Sequence, residues 1–122
     1  MVFEIKHKLV TARGLSQSIL QITEMLGMYH AELARVLHLQ CGDIGSLASG
    51  KSVLDEQSES WEHALAFLQF YQALYTHFEG DEVAMCNWLR RDHPELGKTP
   101  LLVMVDDLRI DDVVNLLSTP SP

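Results

Sequence analysis

The chain has 122 residues, of which 47% are apolar and 21% charged, enough for one ordinary soluble domain or for two small lobes sharing a core. Nine basic residues against 17 acidic ones leave a net charge of −8. That excludes a protein held on nucleic acid mainly by phosphate contacts, which need clustered Lys and Arg.

The charge is unevenly distributed. Residues 1–15 carry Lys6, Lys8 and Arg13 against Glu4, net +2, and residues 16–51 carry −1. Residues 52–91 and 92–122 carry −5 and −4. A phosphate-contacting surface is therefore expected only in the first 51 residues, because the rest repels a polyanion. Apolar runs such as Leu101–Val105 fall far short of the roughly 20 residues of a membrane span. The basic N-terminus is not followed by the apolar stretch of a secretory signal. Two cysteines, Cys41 and Cys86, without paired spacing fit a reduced cytoplasmic chain.

The hydrophobic period is helical almost throughout. Val2–Lys8 alone reads as a short strand. Leu15, Ile19, Ile22 and Leu26 recur at 4, 3 and 4 residues, which predicts a first helix with Ser16 as N-cap and Gly27 as its stop. Leu33, Val36 and Leu37 mark a second, opening near His30. Ile44, Leu47 and Ala48 mark a third, ended by Gly50-Lys51. The polar stretch KSVLDEQSES then reads as a connector. From Ser60 to Phe78, one seam holds Trp61, Leu65, Leu68, Gln72 and Tyr75, and another Phe67, Phe70 and Leu74. Apolarity on both sides predicts a central helix that also contributes Trp61, Phe67, Phe70 and Leu74 to a homodimer interface.

Gly80 ends that helix, and Asp81-Glu82 place acids at the positive end of the next one, which carries Val83, Met85, Cys86, Trp88 and Leu89. Thr99 and Pro100 suit the cap and first turn of a short helix with Leu101, Leu102 and Val105. Ile110, Val113, Val114 and Leu117 share a face of the last helix, and the tail STPSP is expected to be disordered. The predicted fold class is all-α, with about seven helices.

Three short helices ended by Gly-Lys are compatible with a helix-turn-helix. The segment LGMYHAELARVLHLQCGDIGSLASGK (Leu26–Lys51) resembles the Xre-type, phage-repressor-like helix-turn-helix in register and without gaps. Ala31-Glu32-Leu33-Ala34 with Val36-Leu37 matches the first helix of that motif. Leu39 matches the apolar turn position, Ile44 and Leu47 the core side of the recognition helix, and Gly50 its terminal glycine. The chain departs from the family at His38, often Gly, and at His30, often Gln. Where the family displays Ser, Arg, Thr and another cation, it has Gln40, Cys41, Gly42, Asp43 and Ser46. It thus offers no Arg for bidentate reading of guanine. The residues the resemblance implies for DNA are Lys6, Lys8, Arg13, His30, Gln40, Cys41, Ser46 and Lys51.

The segment WLRRDHPELGKTPLLVMVDDLRIDDVVNLL (Trp88–Leu117) resembles the toxin-binding domain of the Xre/MbcA/ParS-type antitoxins. Trp88-Leu89, Pro94, Leu96-Gly97, Thr99-Pro100-Leu101 and Val113 to Leu117 match that pattern in order. Residues 106–111, DDLRID, lack the family's frequent loop glycine. An Xre-like lobe over 1–57, with an N-terminal arm, followed over 58–122 by a long helix and this domain is the family's own architecture. The resemblance implies an antitoxin that neutralises a RES-type, NAD-consuming toxin, with autoregulation through operator DNA. The toxin-binding residues it implies are Trp88, Leu96, Gly97, Lys98, Thr99, Pro100, Asp106, Asp107, Arg109 and Asp111.

An acidic surface at Asp106, Asp107, Asp111 and Asp112 suits a basic cleft built for an anionic dinucleotide, into which the 118–122 tail is expected to reach. The rival reading is an Xre-family transcriptional or partition regulator without a toxin partner. The bland reading of each motif stands beside these: Trp88, Leu89 and Leu101 as core, Pro94, Gly97 and Pro100 as turn formers, and the aspartates as a solvated face. His38 and Cys41 lack a second ligand pair at metal spacing. Cys86 and His93 lack a third, orienting group. No enzymatic activity, metal or cofactor is expected, and no membrane.

Overall fold

Seven helices make up a computed structural model that describes residues 11–118. They are α1 (Ala12–Met25), α2 (His30–Leu37), α3 (Cys41–Ala48), α4 (Glu59–His77), α5 (Glu82–Leu89), α6 (Pro100–Val105) and α7 (Ile110–Ser118). The fold is all-α. No strand occurs among the described residues, and only an isolated bridge joins His93 to Lys98. No helix among them is long and apolar enough to cross a membrane. Val2–Lys8 and the last four residues of the tail lie outside the described residues.

Helix starts follow side-chain capping chemistry. Thr11 Oγ1 accepts the Gly14 N–H at 2.9 Å, Ser58 Oγ that of Trp61, and Asp81 Oδ1 that of Ala84. Thr99 Oγ1 accepts the Leu102 N–H, with Pro100 at the first helical position, as expected. Ser16 is not the cap of α1. It sits one turn inside the helix and is buried, and its hydroxyl donates to Ala12 O at 2.7 Å and accepts the Leu54 N–H at 3.0 Å. The connector is consequently clasped to α1, and Leu54 enters the core.

Helix α4 is the axis of the molecule, with α1 and α2, α5 and α7 all packed against it. Ala64, Phe67, Phe70 and Leu74 have no exposed surface, and Trp61 retains only 9%. This corrects the expected dimer seam: Trp61, Phe67, Phe70 and Leu74 are covered by the chain's own helices. The two-sided apolarity of α4 reflects neighbours within one protomer. A single core cluster runs from Leu15 to Leu117 across the 57/58 boundary. The two expected lobes share that core rather than forming separate ones.

Polar links reinforce the packing across the boundary. The Arg35 guanidinium on α2 donates from Nε to Val105 O at 3.2 Å and pairs with Asp106 at 3.4 Å, so a cation sits at the carbonyl end of α6. Arg90 donates to Gly27 O at 2.7 Å, joining the end of α5 to the end of α1.

Candidate functional site

The α2–turn–α3 corner is built around His38, which adopts φ 60° and ψ 42°. This left-handed conformation is rare for a residue with a Cβ, though His tolerates it better than most. It lets the Leu39 N–H reach back to Ala34 O at 2.8 Å, closing α2 before the chain turns into α3. Leu39 is half-buried against the core, and Ile44 and Leu47 are buried on the inner side of α3.

The outer side of α3 presents Cys41, Gly42, Gly45, Ala48 and Ser49, all exposed. A Cβ added at Gly42 or Gly45 would meet nothing within 4 Å. The face is smooth and small, and α3 itself contains no Lys or Arg. Asp43 accepts the Gln40 N–H at 3.0 Å, an N-terminal capping role that explains an acid at this helix start.

The residues expected at DNA fall into three groups. Lys6 and Lys8 lie outside the described residues. Arg13, Ser46 and Lys51 gather around the C-terminal end of α3: Arg13 lines a cleft with Gly50 and Val53, and Ser46 O accepts the Lys51 N–H. His30, Gln40 and Cys41 are exposed at the N-terminal ends of α2 and α3.

The C-terminal residues divide between scaffold and surface. Trp88 is half-buried and packs edge-on against Phe78 and against the His93 ring, at 6.1 and 4.9 Å. Pro100 is buried, Thr99 caps α6, and Gly97 takes φ +79° in the turn where the His93 N–H meets Lys98 O. Gly97 and Pro100 thus stand at a turn and a helix start.

Leu96 and Arg109 meet in an open depression that Glu95, Asp112, Asn115 and Leu116 complete. Lys98 pairs with Asp107 at 3.1 Å, Arg109 Nε with Asp112 at 2.6 Å, and Asp106 with Arg35. Three of the four aspartates expected to face a partner are thus paired with cations of their own chain, while Asp111 stands exposed in the first turn of α7.

Several surface features escaped the sequence reading. Leu102 and Leu108 are more than two-fifths exposed on the same C-terminal part. In α6, the burial of Leu101, Val103, Met104 and Val105 leaves Leu102 outward, and six residues are too few to show a period. Leu108 has φ 56°, for which its type gives no signal. Arg35 belongs to the C-terminal surface through Asp106, although 71 residues separate them in the chain. No protein-family model matches the chain, and no curated protein matches it either.

Proposed function

We propose that this chain acts by binding, as an antitoxin-like protein that occupies and neutralises a RES-type, NAD-consuming toxin through the surface around Leu96, Arg109, Asp111 and Asp112. The choice between a protein and a DNA partner rests on one observation: the exposed residues of α3 and its cap are Cys41, Gly42, Asp43, Gly45, Ala48 and Ser49. Guanine readout uses Arg or Lys as a forked or point donor, and phosphate affinity scales with the number of cations brought to the backbone. A small face whose one charge is acidic supplies neither. The C-terminal surface mixes apolar and charged groups, Leu96 and Leu116 beside Arg109 and Asp112, the composition of a protein-binding rim.

The reading also draws on the order of the two motifs, on the helix boundaries beside Gly50 and at Pro100, and on the turn at Gly97. Operator binding for autoregulation belongs to it as a secondary activity of the N-terminal arm and Arg13. The rival DNA-binding regulator is favoured by the α2–turn–α3 corner itself, a scaffold suited to a major groove.

Co-expression with a RES-type toxin, taken from the neighbouring reading frame where one is found there, decides between them. Neutralisation predicts relief of growth arrest and co-purification of a stable complex, both weakened by Asp111→Lys. Arrest that persists, with no complex recovered, overturns the proposal. Tight, sequence-specific binding of the upstream DNA by the chain alone would establish the rival.

A further inference from the structure

The turn of the helix-turn-helix corner and the first turn of α4 bring two imidazoles and a carboxylate together. His38 Nδ1 lies 2.7 Å from Glu59 Oε1, and His63 Nε2 lies 3.6 Å from the same oxygen. The two rings stand 4.0 Å apart between centroids. One ligand atom from each of the three residues falls within 4.8 Å of the others. The cluster opens at the surface, with Glu59 71% exposed, while Val36, Met104, Leu108 and Ile110 wall the inner side of both imidazoles.

One feature of this cluster exceeds what packing demands. His63 Nε2 is shielded from solvent and has no hydrogen-bond partner, its nearest acceptor in the cluster, Glu59 Oε1, standing off at 3.6 Å, a state buried polar atoms rarely keep without a reason. His38 takes its left-handed conformation, φ 60°, as the C-cap of α2, and from that cap its ring reaches Glu59.

We propose that His38, Glu59 and His63 form a binding site for a divalent transition-metal ion of the Zn2+ class. Two imidazole nitrogens and one carboxylate oxygen are the donor set of open zinc sites, with a fourth position left to water or to a partner's donor. Tetrahedral coordination at about 2.0–2.2 Å places neighbouring ligand atoms about 3.4 Å apart. The present separations of 2.7 and 3.6 Å bracket that edge. The ion takes the place of the His38–Glu59 hydrogen bond and gives His63 Nε2 the partner it lacks. Bound there, it fastens the turn between α2 and α3 to the central helix.

The test uses the full chain, free of any affinity tag and stripped with a chelator, titrated with Co2+ and followed by its ligand-field absorption, with Zn2+ as competitor. One Co2+ per chain is expected, displaced by Zn2+. Because loss of even an outer-shell partner weakens metal sites by about 10–100-fold, Glu59→Gln and His63→Gln should each weaken binding by at least about tenfold. Cys41→Ser and His30→Gln should leave it unchanged. Zn2+ should raise the melting midpoint of the wild type and not that of Glu59→Gln. Glu59 is a solvent-facing side chain, so its substitution keeps the fold, as far-ultraviolet circular dichroism checks. The proposal is overturned by absence of saturable binding, by unchanged affinity in Glu59→Gln, or by binding that disappears with Cys41.

Discussion

Replacing Ser16 with Ala removes one hydroxyl and, with it, the hydrogen bond that ties the connector backbone to α1. The Leu54 N–H donates to Ser16 Oγ at 3.0 Å in a buried setting, and Leu54 and Ser16 are only 4% and 3% exposed. An alanine methyl cannot accept that hydrogen bond, and a buried, unsatisfied amide costs about 1–3 kcal/mol. Against this, Ala is a better interior helix residue than Ser by roughly 0.5 kcal/mol. The net loss is about 1–2 kcal/mol, and at about 3–6 °C per kcal/mol for a domain of this size the melting midpoint should fall by about 3–12 °C.

Urea unfolding of Ser16→Ala beside wild type measures the loss, with the exposed Ser52→Ala as a control expected within about 0.5 kcal/mol of wild type. Amide hydrogen exchange supplies the local readout, since Leu54 should lose protection while the amides of α7 keep theirs. A loss below about 0.5 kcal/mol with Leu54 still protected would refute the clasp.

Gly42→Ala and Gly45→Ala should each stabilise the chain by about 0.5–1 kcal/mol, because both glycines are helical and an added Cβ meets open space. Gly97→Ala should destabilise it by about 1–2 kcal/mol, since φ there is +79°; the same unfolding curves report both signs. Phe70→Ala should cost about 3–5 kcal/mol through a cavity beside α4 without altering the sedimentation coefficient at native conditions. A change of assembly with stability intact would restore Phe70 to an interface.

In metal-free protein, the hydrogen bond and charge of His38 hold the Glu59 carboxyl below its ordinary 4.5. A carboxyl depressed in the folded state adds stability above its unfolded value and loses it as pH falls through the folded one. Stability should therefore decline on acidification below about pH 4.5, and less in Glu59→Gln, as urea midpoints taken across that range would show.

Much of the helical skeleton was legible because its signals are local. The 4-3-4 spacing of α1, the Thr99-Pro100 start of α6 and the Gly80-Asp81 junction of α4 and α5 each depend on residues within one turn of one another. Ser16 misled for the same reason: Ser beside an apolar period is the commonest N-cap pattern, and only the long-range contact with Leu54 reveals its actual partner. The Phe67–Phe70–Leu74 seam failed differently. Periodicity reports that a face is buried but not by what, and α1, α2 and α7 lie far enough away in sequence to resemble a second copy. The His38–Glu59–His63 cluster was invisible to ligand spacing, because 21 residues and a connector separate its first two members.

The acidic C-terminal half changes meaning once its pairs are drawn. Asp106, Asp107 and Asp112 are each neutralised by a cation of the same chain. Exposed pairs of this kind contribute about 0–1 kcal/mol each. They leave the surface quiet in the free protein without locking it. A partner carrying its own cations can take over Asp112 or Asp107 and release Arg109 or Lys98 toward an acid of its own, at small cost in folding stability. No equivalent exchange is open to α3, which has no cation to release toward phosphate. That asymmetry, rather than the net charge of −8, is why we propose a protein and not DNA as the partner.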